Sequence, residues 1–397
     1  MLKFSDRVLS MEESATLAMS RKSRELKSQG LDIISLSLGE PDFHTPDFIK
    51  EAAVEAMEQN FTTYTPVPGY DDLRQAIVDK FKRDNGLEYE KDQIVVSTGA
   101  KQSIANLMMS LVNPGDEVLI PAPYWVSYIE IVKVAGGIPV IIESSIDTDF
   151  KVNGAAIKAK ITDKTKAIIF SSPCNPTGSV YSEEELKDIA KAFADRKDIV
   201  IISDEIYEHI NFVGGHTSIG TIKEVYDQTV TINGLSKAWA MTGWRIGYIG
   251  APKAIAAACN KVQGQFTSGA NSIAQRASIA ALKKDPSYLS EMLGAFKNRR
   301  TLVLNALRGM EGVEVNEPEG AFYFFPDVSS FFGKSHDGKV IKDANDLSLY
   351  LLEEALVAVV TGDAFGDPNC IRISYATDEA TLTKAMNRIE TALQKLK

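Results

Sequence analysis

Lys237 is the residue of this chain best suited to amine chemistry. It follows an apolar run and lies among small residues in the stretch 233–245. An amine is nucleophilic only without its proton, and desolvation or a neighbouring cation lowers its pKa enough for that near neutral pH. Most lysines that follow strands are simply solvated, so the residue type alone does not establish Schiff-base chemistry at Lys237.

The residues around Lys237 offer partners for a phosphate group. Ser236 supplies a hydroxyl and Arg245 a guanidinium, and guanidinium–phosphate pairs are strong and geometrically specific. Gly234 and Gly243 permit a close approach of the backbone because they have no Cβ. We therefore interpret Lys237 as an anchor for pyridoxal phosphate.

Two further polar residues are expected close to Lys237. Asn175, Asp204 and Lys237 each follow an apolar run that predicts a buried strand. Ligands of open α/β sheets bind beyond the carboxyl ends of the strands, so these side chains are expected in one crevice. A carboxylate at Asp204 would stabilise a pyridinium by roughly 4 kcal/mol at ~4 Å and an effective dielectric of ~20. In isolation, a helix cap is the plainer interpretation of Asp204, and a turn that of Asn175 between two prolines.

Strand and helix patterns alternate over the first three quarters of the chain. This rhythm indicates an α/β domain with a mostly parallel sheet. The pattern changes from Pro286 onward, where a long amphipathic helix and short strands predict a second, α+β domain. The predicted strands are 93–97, 117–120, 166–171, 199–203, 228–232, 313–315, 321–325 and 370–374, and the predicted terminal helices are 9–29 and 379–396.

Composition limits the class of protein. The 397 residues exceed the ~250–300 at which a single core stops growing, so two domains are expected. The 44% hydrophobic and 24% charged residues are ordinary for a globular enzyme. A net charge of −10 argues against nucleic acid or an anionic membrane as a partner.

Cysteine and histidine usage and the absence of targeting signals narrow the class further. Cys174, Cys259 and Cys370 are widely spaced, which fits a reducing compartment and disfavours a disulfide framework. The four histidines form no i,i+4 pair, so no metal site is predicted. The sequence contains neither a signal core nor a stretch of 18 apolar residues, which favours a cytoplasmic protein.

The segment around Lys237 resembles the lysine signature of the class I aminotransferases of the aspartate aminotransferase fold. Small and apolar residues precede the lysine in that signature, and Arg245 and Gly247 match the arginine and small residue that follow it. The chain departs from the family at Gly234, where a serine often stands. The resemblance covers nearly the whole chain, and its motifs occur in family order.

The resemblance implies a fold and an assembly. The fold is α/β, aspartate aminotransferase-like (pyridoxal phosphate fold type I), with a large domain carrying a mostly parallel sheet and a smaller α+β domain. Residues 1–45 would form the N-terminal segment of the small domain, 46–285 the large cofactor-binding domain and 286–397 the C-terminal α+β domain. The assembly would be a homodimer with shared active sites, in which Tyr64 reaches the phosphate of the neighbouring subunit.

The resemblance also implies roles around pyridoxal phosphate. Lys237 is the catalytic residue, which holds the cofactor and then moves the proton as a free amine. Asp204 is the partner of the pyridine nitrogen, and Tyr207 and Asn175 donate to the 3′ oxygen. The further cofactor-binding residues implied are Gly99 and Ala100 in the phosphate cup, Trp125 stacked on the ring, and Ser236, Arg245 and Tyr64 at the phosphate.

A further set of residues matches substrate-binding positions. Arg372 matches the arginine that clamps the α-carboxylate, a task suited to a planar guanidinium, although a solvated strand face is its plainer interpretation. Gly39 matches a backbone contact to the same carboxylate, and the resemblance implies that Asn175 and Trp125 also face the substrate. Thr16 and Lys101 resemble the residues with which a bacterial subgroup binds the distal carboxylate, although Lys101 taken alone is a solvated lysine in a first helical turn.

These matches imply transamination of an acidic amino acid. The leading hypothesis is L-aspartate with 2-oxoglutarate, and the alternative is prephenate or another amino-acid aminotransferase. A lyase on the same scaffold is a rival, since fold and lysine do not determine the reaction. A regulator that keeps the fold as an effector sensor would need an additional N-terminal domain, whereas the resemblance begins close to Met1.

Overall fold

One seven-stranded mixed sheet dominates the computed structural model, which describes residues 2–397. In chain order the strands of the described residues are β1 (Ile34–Ser35), β2 (Ile94–Ser97), β3 (Glu117–Pro121), β4 (Ile138–Ile142), β5 (Thr165–Ser171), β6 (Val200–Asp204), β7 (Thr229–Gly234), β8 (Gly247–Gly250), β9 (Tyr323–Phe324), β10 (Ser335–His336), β11 (Lys339–Val340), β12 (Val357–Ala358), β13 (Val360–Thr361) and β14 (Ile371–Ser374). The order across the large sheet is β2-β8-β7-β6-β5-β3-β4. Strands β3 to β7 run parallel, and β8 is antiparallel to both β2 and β7.

Helices cover both faces of this sheet because successive side chains of a strand point to opposite sides. The α-helices of the described residues are α1 (Asp6–Leu9), α2 (Ala15–Ser28), α3 (Asp47–Glu58), α4 (Asp71–Lys80), α5 (Ala100–Leu111), α6 (Ser127–Val134), α7 (Gly154–Lys160), α8 (Glu183–Lys191), α9 (Lys253–Phe266), α10 (Ser272–Lys283), α11 (Ser290–Gly309), α12 (Ala344–Tyr350) and α13 (Glu379–Leu393). Ile169 and Ile202 pack with α5, α6 and α9, whereas their neighbours Ile168 and Ile201 pack with α7 and α8.

The five strands predicted in the first part of the chain are confirmed as β2, β3, β5, β6 and β7. The prediction missed β4 and β8. Glycines begin and end β8, and glycine weakens strand patterns. A Cβ at Gly247 would lie 2.2 Å from the backbone nitrogen of Ala100, so glycine there lets the start of α5 approach the sheet.

A second, three-stranded sheet of order β13-β14-β9 carries Arg372 on its central strand. The predicted strand at 370–374 is confirmed as β14. The predicted strand at 321–325 shortens to β9, because Ala321 has a φ of +55°, which is not extended backbone. The predicted strand at 313–315 is wrong, since that segment contributes only the isolated bridge between Glu314 and Asp327.

The terminal segments pack together. Ile34 of β1 pairs in parallel with Val357 of β12, which joins the N-terminal part of the chain to its C-terminal part. The single helix predicted at 9–29 is wrong: Ser10 and Ser14 are cap residues between α1 and α2, a position that serine favours over a helix interior. The closing helix α13 ends at Leu393, three residues before the predicted end. The domain boundaries at 45 and 285 stay a prediction.

Within residues 2–397, no helix is both long and apolar enough to span a membrane.

The contact between β8 and α5 generates a stability prediction. Gly247→Ala should lower the free energy of unfolding by about 1–3 kcal/mol, because the new methyl group overlaps the start of α5. Gly294→Ala is the matched control: Gly294 is exposed in α11 with nothing near its Cβ position, so this change should be neutral or stabilising by up to about 1 kcal/mol. Urea unfolding of both variants checks this, and equal effects would contradict the proposed overlap.

Candidate active site

A cavity of about 340 Å³ collects most of the residues singled out in the sequence. It lies beyond the carboxyl ends of β5, β6 and β7. These ends lie side by side at one edge of the sheet, because Ser171 pairs with Asp204 and Asp204 pairs with Ile232. The predicted residues that line it are Thr16, Gly39, Ala100, Lys101, Trp125, Asn175, Asp204, Tyr207, Ser236, Lys237, Arg245 and Arg372. The expected convergence of three strand ends on one crevice is thus confirmed.

Two predicted residues do not line the cavity. Gly99 lies immediately before Ala100, as the N-cap of α5. Tyr64 lies outside the cavity and is 99% exposed. Any role of Tyr64 at such a site therefore requires a neighbouring subunit.

The Lys237 amine is enclosed and electrostatically destabilised as a cation. Its Nζ donates to the carbonyl oxygen of Gly39 at 2.5 Å and lies 5.6 Å from the centre of the Tyr207 ring. Burial, reinforced by the guanidinium groups of Arg372 and Arg245, lowers the pKa of Lys237 to about 8. A substantial fraction of the amine is therefore neutral near physiological pH, as a nucleophile or a base requires.

Asp204 is a buried carboxyl group that accepts a hydrogen bond from one side chain of the described residues. Burial raises its pKa to about 6. The hydroxyl of Tyr128 donates to Asp204 Oδ2 at 2.7 Å, and the Ile206 backbone nitrogen donates to Oδ1 at 3.3 Å. Near neutral pH the group is an ionised carboxylate with little water around it, which suits pairing with a cationic ring nitrogen.

Arg372 is a buried guanidinium held by neutral groups. Nη1 donates to Asn175 Oδ1 at 3.0 Å, and Nη2 donates to the Ser37 carbonyl oxygen at 2.6 Å. The guanidinium also lies 4.6 Å from the Tyr323 ring centre and 4.7 Å from that of Phe365. Its Nε is buried and has no hydrogen-bond partner within the described chain. Burial lowers the pKa of Arg372, so a carboxylate ligand would relieve an unfavourable desolvation.

Glycines shape a concave surface next to Arg245. Gly99 has a φ of +82°, and a Cβ there would lie 2.4 Å from Arg245 Nη2. Ala100 begins α5, whose first backbone N–H groups have no partner inside the helix and can bind an anion. Gly234 stands where the family often has a serine. A Cβ at this position would be crowded, because it would lie 2.9 Å from the Ile246 carbonyl oxygen.

Lys101 and Thr16 lie at the wall of the cavity that α5 and α2 form. Lys101 Nζ lies 4.9 Å from the centre of the Trp125 ring, and desolvation, together with the cation Arg245, lowers the Lys101 pKa. The hydroxyl of Thr16 is buried without a hydrogen-bond partner in the described residues. Both side chains therefore have unused capacity to bind an anionic group.

Sequence reasoning missed two tyrosines of the cavity. Tyr128 bonds Asp204, and Tyr323 shares a 2.8 Å hydrogen bond between hydroxyl groups with Tyr207. A Cβ at Gly39 would lie 2.2 Å from the Tyr323 hydroxyl, so Gly39 has to be glycine for this ring to fit. The spacing of Tyr128 one helical turn after Trp125 was the only available signal, whereas nothing in the sequence marked Tyr323.

Sequence comparison agrees with this chemistry. The model of the family described as aminotransferase class I and II matches residues 31–389. A Petunia hybrida protein named bifunctional aspartate aminotransferase and glutamate/aspartate-prephenate aminotransferase is 47% identical over 401 residues, which cover 100% of this chain and 84% of the relative.

Solved structures show the same fold. An aspartate aminotransferase from Rhizobium meliloti matches with a TM-score of 0.97 and 40% identity, covering 100% of both chains. An aspartate aminotransferase from Thermus thermophilus with maleate matches with a TM-score of 0.93 and 40% identity, over 99% of this chain and 100% of that chain. The expected α/β fold of type I is thereby confirmed.

The pKa of Asp204 generates a prediction with a definite sign. A folded-state pKa raised from the usual 3.8 to about 6 means that the fold binds this proton more tightly than the unfolded chain does. Stability from this group is therefore present below about pH 4 and is lost as the pH rises through 6. In protein freed of small molecules, Asp204→Asn should raise the free energy of unfolding by about 3 kcal/mol at pH 8 and by about half as much at pH 5.

Asp32→Asn is the control of opposite sign. A hydrogen bond from Lys384, with Arg388 beside it, lowers the pKa of Asp32, so its removal should lower stability at pH 8. Urea unfolding at the two pH values measures both variants. Destabilisation by Asp204→Asn at pH 8 would show that its carboxylate is not under electrostatic strain.

Proposed function

The chain belongs to the class I and II aminotransferases, and from this premise we propose that it transfers the amino group of L-aspartate to 2-oxoglutarate, forming oxaloacetate and L-glutamate. The observation that carries the proposal is the buried guanidinium of Arg372, which shares one cavity with the amines of Lys237 and Lys101. Cations on two separate elements suit substrates with two carboxylates. The Petunia and Rhizobium relatives are both named as aspartate aminotransferases.

Pyridoxal phosphate is the cofactor that we propose for this cavity, because the groups around it fit. Arg245, Ser236 and the first backbone amides of α5 would hold the phosphate. Gly99 leaves open the space beside Arg245 that a Cβ would fill. Asp204 would pair with the ring nitrogen, Tyr207 and Asn175 would donate to the 3′ oxygen, and Trp125 would lie against the ring. When bound, the cofactor supplies an electron-withdrawing ring that stabilises negative charge at the substrate Cα.

Lys237 performs the proton transfer in this proposal. A pKa near 8 leaves its Nζ able to accept a proton from the substrate Cα and to return one at neutral pH. Asp204 is ionised above about pH 6, and its negative charge would favour a protonated ring nitrogen. Asp204 is therefore ionised between about pH 6 and 8, and the neutral base form of Lys237 increases as the pH approaches 8.

The substrate would be oriented by its carboxylates. Arg372 Nε, which is unsatisfied, and the amide of Asn175 would bind the α-carboxylate, with the backbone at Gly39 closing the same end. Lys101 and the free hydroxyl of Thr16 would bind the distal carboxylate. Two anchored carboxylates restrict rotation of the substrate and hold its Cα toward Lys237.

Prephenate is the second candidate acceptor. The name of the Petunia relative includes glutamate/aspartate-prephenate aminotransferase activity, and prephenate also carries two carboxylates. Rates with 2-oxoglutarate and prephenate as competing acceptors for aspartate distinguish the two functions.

We also propose a homodimer with shared active sites. Tyr64 is 99% exposed and lies outside the cavity of its own chain, which suits a residue that binds the phosphate in a partner subunit. A cytoplasmic location stays a prediction from the sequence.

Lys237→Ala should abolish covalent cofactor attachment and greatly slow turnover. Removal of the only proposed proton carrier should lower kcat by about 10²–10⁴-fold, while Arg245 and Asp204 still retain some cofactor. Borohydride reduction followed by peptide mass spectrometry should show a phosphopyridoxyl group on the Lys237 peptide of the wild type and of the control Lys253→Ala, whose lysine is exposed. Normal turnover by Lys237→Ala would refute the assignment.

Lys101→Ser should act selectively on acidic substrates. A charge-assisted contact to the distal carboxylate contributes ~1.5–3 kcal/mol, so kcat/KM for aspartate should fall roughly ten- to a hundredfold. Alanine and phenylalanine have no such carboxylate and should be almost unaffected, which makes them internal controls. Steady-state kinetics with the three amino acids measures this, and equal losses would assign Lys101 to the cofactor or the fold instead.

A further inference from the structure

A second cavity, of about 370 Å³, is lined by residues that have no part in the proposed reaction. Four of them carry metal-ligating atoms, namely Asp84, Glu208, His209 and His216. Asp84 lies in the π-helical turn that continues α4, the other three follow β6, and the start of α11 forms the opposite wall. Three separate parts of the chain therefore enclose one group of carboxylates and imidazoles.

The ligand atoms of Asp84, Glu208 and His209 lie close enough together to reach one ion. His209 Nε2 lies 3.1 Å from Glu208 Oε1 and 3.7 Å from Asp84 Oδ2. Ligand atoms at the usual bond lengths around a tetrahedral zinc ion are about 3.4 Å apart. Glu205, Glu208 and His216 form a second close group that shares Glu208.

His216 is an independent indication of a ligand. Its side chain is only 6% exposed, and its Nε2 is 2.8 Å from Glu205 Oε2. Its Nδ1 is buried and has no hydrogen-bond partner within the described residues. Glu205 is itself fixed by the hydroxyls of Ser203 and Ser218. Metal-binding histidines characteristically have one ring nitrogen held by a carboxylate while the other binds the ion.

The charges of the cluster leave a place for a cation. Three carboxylates with little exposure, those of Asp84, Glu205 and Glu208, face the cations Lys80 and Arg83, which leaves one net negative charge when the neighbouring histidines are neutral. Lys80 contacts Glu208 and also donates to Asn85 Oδ1 at 2.6 Å. An incoming dication can therefore displace Lys80 from Glu208 while Lys80 keeps its bond to Asn85.

We propose that this cavity binds a divalent transition-metal ion of the zinc class through Asp84, Glu208 and His209, with His216 Nδ1, from the adjoining group that shares Glu208, as the fourth ligand. The mixture of imidazole and carboxylate ligands favours such an ion over calcium or magnesium, which prefer oxygen alone. The sequence did not predict this site, because its two histidines are seven residues apart and Asp84 comes from a distant helix. The site is independent of the proposed transamination.

Calorimetric titration of zinc chloride into the chelator-treated holoenzyme tests the proposal. The wild type and the control His336→Ala, whose histidine lies in the β10–β11 hairpin, should each bind one Zn²⁺ per chain. His209→Ala and His216→Ala should each weaken binding by at least about tenfold. Cobalt(II) should produce a visible absorption band in the wild type that both imidazole variants lose.

Asp84→Asn, which keeps the side-chain volume, is the second type of variant, and it should also weaken zinc binding. Circular dichroism of every variant verifies that the fold is kept. The proposal is overturned if the wild type does not bind zinc stoichiometrically. It is equally overturned if folded His209→Ala or His216→Ala binds zinc as the wild type does.

Discussion

The burial of Arg372 is the constraint on which the cavity depends. A guanidinium removed from water is costly unless other groups satisfy it, and here those groups come from separate parts of the chain. Ser37 follows β1, Asn175 follows β5 and Tyr323 lies on β9. The same cation therefore links the N-terminal segment, the large sheet and the small sheet around one cavity, and its unsatisfied Nε makes that cavity a place for an anion.

This buried charge also acts on its neighbours. Arg372 follows burial as the largest cause of the lowered Lys237 pKa, whereas Lys237 itself partly offsets the raised pKa of Asp204. The cavity thus holds an amine of lowered basicity and a carboxyl of lowered acidity. Keeping these groups away from water lowers the free energy of unfolding of the chain. Such a loss of stability is common at sites where pKa values are shifted to suit a reaction.

The fold and the gathering of site residues could be predicted from the sequence where local pattern and strand polarity determine them. Asn175, Asp204 and Lys237 follow parallel strands, so their shared edge was predictable. Strand β8 was not predictable, because its glycines are required by contacts with distant residues. Ala100 closely approaches Gly247, and Tyr89 closely approaches Gly250. These contacts arise between residues far apart in the chain and leave no periodic signal.

Partners of the site residues were even less accessible to sequence reasoning. The hydrogen bond from Tyr128 to Asp204 joins α6 to β6, and that between Tyr207 and Tyr323 joins two sheets. The proposed metal site was also not predictable from the sequence, since His209 and His216 gain carboxylate neighbours only through the tertiary fold. Residue types suggested which groups could react, whereas their protonation and orientation depend on long-range packing.

The central claim is that this cavity exchanges an amino group between two carboxylate-bearing substrates. The most direct measurement is product formation from aspartate by the holoenzyme before and after an amino acceptor is added. The account predicts about one equivalent of oxaloacetate per chain and no ammonia without an acceptor, followed by continuous turnover once 2-oxoglutarate is present. Continuous release of oxo acid and ammonia without an acceptor would contradict it and indicate a lyase or deaminase on the same fold.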